Sequence, residues 1–285
     1  MRHPAMPMRC FGPWALAISA AALTFAAAPA TAEDLTAAQI VERNATARGG
    51  REAWGKIETM AWSGRVESAN RGGRRVPFLL EQKRPDRTRF EVMVDGQKSV
   101  RVFNGTDGWK MRSSSSGRPD VQPYMADELN FARGAPMIDG PLMDYAARGA
   151  TISLAGGLQE IEGRKAYALD LRLASGSSYR VWIDTETFLE MRYDREVVNA
   201  QGRPASTSVY FSDYRAVEGL QLPFTIEAGM ADGKVRDKLV IEKVALNPRL
   251  DDRTFAKPGS AMVRRRGVTV DTRSAAQGDP ARPAQ

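Results

Sequence analysis

The sequence predicts a mainly β fold, one antiparallel meander or barrel of ten or so strands with short helices set into it. Three observations predict this. Apolar and polar residues alternate over short runs, as in Val76, Phe78 and Leu80 or Tyr179, Val181 and Ile183, which is the period of a strand with one buried face. The runs recur about every 10 to 12 residues, the spacing of an all-β domain. Each reversal carries Gly, Asp or Asn, with Asp95-Gly96 a strong hairpin signal and Asn104-Gly105 and Asp107-Gly108 marking another tight turn.

The chain opens, after a leader, on a helix over Leu35 to Arg48, with Thr36 as N-cap and Gly49-Gly50 as the stop. Arg51 to Trp54 adds one further turn. Strands follow over Ile57 to Ser68 and Arg75 to Gln82, separated by Arg71-Gly72-Gly73, with Glu81 and Lys83 on a wet face opposite Phe78 and Leu80. Lys83-Arg84-Pro85-Asp86 breaks the second strand from the third, on which Phe90, Val92 and Val94 share a face. Val100 and Val102, then Trp109 and Met111, continue the pattern. Arg112 to Pro123 reads as a polar, serine-rich loop. Two short helices are expected at Tyr124 to Ala132 and Pro141 to Arg148, and neither is long enough to stand without packing on something apolar. Strands resume at Thr151 and run, with turns at Gly156-Gly157, Gly176 and Asp184 to Thr187, to Leu246. Asn199 to Pro204 is a further loop, and Asp251 to Phe255 forms a last local motif.

The ends differ from the body. Arg2 and Arg9, the alanine-rich run from Phe11 to Ala28 and the small-x-small triplet ending at Ala32 form a secretory signal peptide over residues 1–32, cleaved after Ala32. The folded domain is expected over 33–260. Residues 261–285 are a basic Pro/Ala tail with little to bury, expected to be disordered. The leader implies export, and the periplasm is the expected compartment. Much of the formal charge of +7 sits in the two ends, and a near-neutral body argues against a nucleic-acid groove.

The sole cysteine, Cys10, and the sole histidine, His3, both fall in the leader. The mature chain therefore holds no Ser-His-Asp or Cys-His machinery, no His- or Cys-ligated metal and no disulfide. Its acids sit on alternating wet faces or in turns, without the spacing of a calcium loop. No enzyme, cofactor or metal is expected. The apolar surplus points elsewhere: a sheet of this size closes on its own side chains, curls around helices or encloses a ligand. The Met-rich middle helices, bounded by Gly and Pro, suit either a lid or a structural plug. Arg84, placed before a proline at a strand break, is on its own chemistry either a solvated turn residue or a donor to a lid.

Taken in order, the leader, the long helix, Lys83-Arg84-Pro85 with Arg89-Phe90, Asp95-Gly96, Asn104 to Trp109, the short helices and Phe255 to Pro258 resemble the LolA/LolB lipoprotein-localisation superfamily, particularly its longer bacterial outer-membrane lipoprotein-sorting members. The resemblance covers approximately Leu35 to Gly259. It implies an unclosed antiparallel β-barrel of about ten or eleven strands, its concave apolar face covered by short helices, and a carrier of acyl chains. It implies Arg84 as the lid latch, Phe78, Leu80, Phe90 and Val92 as cavity wall, and Met125, Leu129, Phe131, Leu142 and Met143 as the lid's inner face. The implied partners are an acylated lipoprotein or lipid and, transiently, membrane donor and acceptor proteins, with the carrier a monomer. An envelope-stress sensor of the same fold, binding a membrane-anchored signalling protein, is the alternative.

Overall fold

A computed structural model of the chain describes residues 35–258, apart from 69–73, 114–117, 136–137, 175, 199–203, 232 and 234. The expected signal peptide, the basic tail, the Arg71-Gly72-Gly73 turn, the core of the serine-rich loop and most of the Asn199 loop lie outside the described residues.

Helix α1 (Ala37–Ala47) begins where the Thr36 hydroxyl accepts from the Gln39 amide and the Gln39 side chain accepts from Thr36, a capping box. A short α2 (Arg51–Gly55) buries Trp54. The strands are β1 (Thr59–Ser68), β2 (Arg75–Lys83), β3 (Arg87–Val94), β4 (Gln97–Phe103), β5 (Gly108–Arg112) and β6 (Asp120–Pro123), then α3 (Ala126–Arg133). After it come β7 (Thr151–Leu154), β8 (Gln159–Ile161), β9 (Arg164–Arg172), β10 (Ser178–Asp184), β11 (Glu190–Val198), β12 (Pro204–Val217), β13 (Leu220–Met230) and β14 (Arg236–Leu246), with a closing 3-10 turn at Asp252–Phe255.

All fourteen strands join one sheet in the order β6-β5-β4-β3-β2-β1-β14-β13-β12-β11-β10-β9-β7, with β8 also on β9. The two ends, β6 and β7, do not meet, so the barrel is unclosed, as expected. The count exceeds ten or eleven because short strands such as β8 and β6 pair at the margins. Asp120–Pro123, read as polar loop, pairs with β5 over Trp109 to Arg112. Its polar side chains hid a strand whose backbone bonds need no apolar pattern. The Asp95-Gly96 hairpin closes where expected (φ 49° and 75°), and Glu218-Gly219 (φ 49° and 87°) closes another; both put two residues in the left-handed region, as a two-residue turn requires. Gly64 marks a β-bulge in β1, where an added Cβ would meet the Val240 carbonyl at 2.1 Å.

Two cores flank the inner face of the sheet. Trp54, Ile57, Met60, Trp62, Phe78 and Leu220 belong to one, with Met143. Leu35, Ile40 and Val41 pack with Leu169, Val181 and Ile183 in the other, with Leu142. The adjacent pair Leu142 and Met143 thus enters two different clusters. This corrects the second expected helix. Pro141 to Arg148 is a run of turns, with Asp144 at φ 52°, a conformation no helix interior accommodates. The outer face is corrected too. Glu81 and Glu91 are buried beside Arg89, and Val100 and Val102 lie on that same outer side under Phe255, not with Phe90 and Val92. The closing segment seals a face expected to be wet.

Candidate functional site

Register fixes the inner wall on the first half of the sheet. Phe78 stands opposite Val92 and Leu80 opposite Phe90, so these four expected wall residues share one face. Phe78 is buried, its ring centroid 5.8 Å from that of Phe90, and Leu80, Phe90 and Val92 pack on the Phe78 cluster. Along β4 and β5 the same face turns polar, since Arg101 pairs with Phe90, and Lys110 with Arg101.

Helix α3 crosses this side and is tied at both ends by polar bonds. At its start the Glu128 carboxylate accepts from Arg101 at 2.6 Å, Lys110 at 2.8 Å and the Met125 amide at 3.0 Å. Burial alone would raise the pKa of Glu128, but these donors outweigh it and hold the carboxyl at about 2. At its end the Arg195 guanidinium donates to the Asn130 carbonyl at 3.3 Å and lies 4.5 Å from the Phe131 ring. The Tyr179 hydroxyl donates to the Gly134 carbonyl. Charge and carbonyl bonds, not an apolar stripe, position the helix. Met125 and Phe131 are accordingly 66% and 50% exposed; Phe131 lines the cavity described next, and Met125 is not among its lining residues. Leu129 is half-buried.

A cavity of about 590 Å³ opens between the end of α3 and strands β11 to β14. Tyr193, Val209, Ala228, Met230 and Val235 form much of its wall, Phe131 and Ala135 sit on its α3 side, and Arg195 and Asp237 are its charged members. It lies across the sheet from the Phe78–Phe90 wall, not on it.

The segment from Ile138 to Ala150 is held by a buried charge cluster. Arg84 Nε donates to the Ile57 carbonyl at 2.7 Å, and its Nη2 donates to the Trp54 carbonyl at 3.2 Å and to Asp139 Oδ2 at 2.8 Å. The carbonyls that Arg84 holds thus belong to α2, at Trp54, and to the link between α2 and β1, at Ile57. Its contact with the middle segment is the Asp139 carboxylate, whose side chain is 3% exposed. Arg148 Nη2 donates to both Asp139 oxygens, at 2.9 and 2.8 Å. Arg48 Nη1 donates to the Asp139 carbonyl at 2.7 Å and to Glu190 Oε1 at 3.2 Å, with its guanidinium 4.4 Å from the Trp54 ring centroid. Burial raises the pKa of Glu190 and Asp139 adds to the rise, while Arg48 opposes it. Leu142 and Met143, beyond Asp139, are fully buried.

Sequence reading missed Asp139, Arg48, Arg148, Glu128, Tyr179 and Arg195. Asp139 lies 55 residues from Arg84 and Arg48 lies 142 from Glu190, and no local pattern announces pairs so far apart. The nearest signal was a lone acid flanked by Ile138 and Gly140 in an otherwise apolar hinge.

No protein-family model and no curated protein matches the chain. Among solved structures it is similar to a LolA superfamily protein from Nitrosomonas europaea, at 14% identity and a TM-score of 0.49, covering 78% of this chain and 98% of that one. It is similar to a DUF1329 family protein from Desulfovibrio piger, at 15% identity and a TM-score of 0.49, covering 77% and 97%. A Vibrio parahaemolyticus domain described as outer membrane lipoprotein-sorting follows, at 12% identity and a TM-score of 0.46, covering 76% and 95%. The chain's own topology makes the fold an unclosed antiparallel barrel with short helical segments against its inner face.

Proposed function

We propose that the protein is a periplasmic carrier that shelters acyl chains of a lipoprotein or lipid on the inner face of its sheet and delivers them toward the outer membrane. One observation carries this reading. A cavity of about 590 Å³ with a largely apolar wall lies under a helix that is fastened by polar bonds. Such a volume is in the range of small-molecule sites, roughly 300 to 1,000 Å³. Burying a methylene is worth about 0.8 kcal/mol, so a sixteen-carbon chain gains on the order of 10 kcal/mol gross before the costs of ordering.

In this mechanism α3 and the Ile138 to Ala150 segment act as the cover. Arg84 is the latch through Asp139, and Leu142 and Met143 are the cover's buried feet. Opening breaks a few charge-assisted bonds that water can replace, while closure removes the chain from water. No step needs a nucleophile or a metal. Phe78, Leu80, Phe90 and Val92 extend the apolar wall for a second or longer chain.

Mass spectrometry of lipid extracted from protein purified from periplasm without detergent tests the reading. Bound acyl species in near-stoichiometric amount are expected. Lipid-free protein that takes up no acyl probe and instead retains a membrane signalling protein would replace the carrier with the sensor.

A further inference from the structure

Arg195 is 5% exposed, yet it lines the cavity, and its Nε–H has no hydrogen-bond partner among the described residues. Among the described residues the groups that engage it are neutral: the Asn130 carbonyl and the faces of the Phe131 and Tyr179 rings, at 4.5 and 5.9 Å. Asp237 stands on the same wall, but no ion pair joins it to Arg195 among the described residues. A buried guanidinium with an unanswered N–H is costly unless something answers it. On the same sheet wall Thr207 stands opposite Arg195 and Met230 opposite Thr207, and the next row runs through Val209 and Ala228 to Asp237, so the wall beside the guanidinium is mainly apolar.

From this arrangement we infer that the cavity takes an acyl chain bearing an anionic oxygen head, a long-chain carboxylate or a phosphate-headed lipid, with Arg195 as the head-group receptor. The inference rests on the carrier reading and narrows its cargo. The chain lies along Val209, Ala228 and Met230 toward the mouth at Val235, where Met230 and Val235 are themselves exposed. The head accepts from the Arg195 guanidinium. Because the same guanidinium caps the end of α3 at Asn130, an arriving anion competes with the helix carbonyl, and loading loosens the cover at that end.

Calorimetric titration of the purified full chain with palmitate, hexadecyl phosphate and hexadecanol tests this. Wild type is expected to bind at least one anionic probe about ten-fold or more tightly than hexadecanol, the contribution of one charge-assisted hydrogen bond at its low end. Palmitate over hexadecyl phosphate identifies a carboxylate site, and the reverse a phosphate site. Arg195→Met is expected to abolish the preference while hexadecanol still binds. Tyr179→Phe frees the same helix end, leaves the guanidinium in place and is expected to keep the preference. Equal affinity for hexadecanol and both anions overturns the head-group assignment and leaves the carrier standing. Failure of all three probes to bind overturns both. If Arg195→Met does not fold, the wild-type ratio and its survival in Tyr179→Phe decide.

Discussion

Replacing Arg84 by Met should separate a latch from a solvated turn arginine. Arg84 makes three bonds, two to the Ile57 and Trp54 carbonyls and one to the buried Asp139 carboxylate. A hydrogen bond involving a charged group contributes about 1.5 to 3 kcal/mol. Stranding a buried charge costs about 3 to 5 kcal/mol, but Asp139 keeps both bonds from Arg148, so the upper figure does not apply. A loss of about 2 kcal/mol is expected for Arg84→Met. Asp139→Asn should cost more, about 3 to 4 kcal/mol, because it leaves Arg84 and Arg148 facing a neutral amide beside Arg48. The two side chains touch, so their effects should not add, and a coupling of about 1 to 2 kcal/mol is expected in the double variant. Urea unfolding of the four proteins measures the cycle. Amide exchange at Ile138 to Ala150 should quicken in both single variants, and acyl transfer should change in Arg84→Met while the fold persists. A loss under about 0.5 kcal/mol with no coupling would return Arg84 to an ordinary surface residue, and unchanged transfer would sink the latch whatever the stability.

Two further outcomes are expected. Glu128 is held at about 2, below the ordinary carboxylate value of about 4.3, so the stability it lends is fully present above that ordinary value and is lost as pH falls through about 2. Glu128 is only partly shielded, so the contribution is no more than about 1 kcal/mol. Amide protection in α3 should fall over that window in wild type and be weaker and flat in Glu128→Gln; an unchanged wild-type profile would show that the clamp does not hold the helix. Phe255→Ala should cost about 3 to 5 kcal/mol, as for other buried phenylalanines, because it uncovers Val100 and Val102 on the outer face. Acyl uptake per folded molecule should be unaltered, since that face is not the cavity; a matched loss of uptake would place the outer cluster in the binding path.

The elements that sequence showed and those it hid divide along one physical line. Hairpins are local: Asp95-Gly96 and Glu218-Gly219 carry their own backbone instructions, and the alternation around Phe78, Leu80, Phe90 and Val92 places all four on one face before any partner strand is known. The Thr36 cap is likewise local. What failed was decided at a distance. Glu81 reads as a wet-face residue because its neighbours alternate, yet a segment some 170 residues on, ending at Phe255, returns to cover that face. Pro141 to Arg148 reads as a helix because Leu142, Met143 and Tyr145 are apolar, yet two separate cores draw Leu142 and Met143 apart and the backbone breaks at Asp144. The candidate site is the extreme case. Asp139 against Arg84, Glu190 against Arg48 and Asn130 against Arg195 are each long-range pairs, and one arginine among so many looks like any other along the chain. Their distinction is burial, which the sheet supplies. Arg195 alternates on β11 with Arg192, and both read as strand arginines. Arg192 faces Asp194 and Ser208 on the outer side, where its donors are answered. Arg195 lines the cavity, and its buried Nε–H has no partner among the described residues; place in the fold and satisfaction, not residue type, set it apart from Arg192.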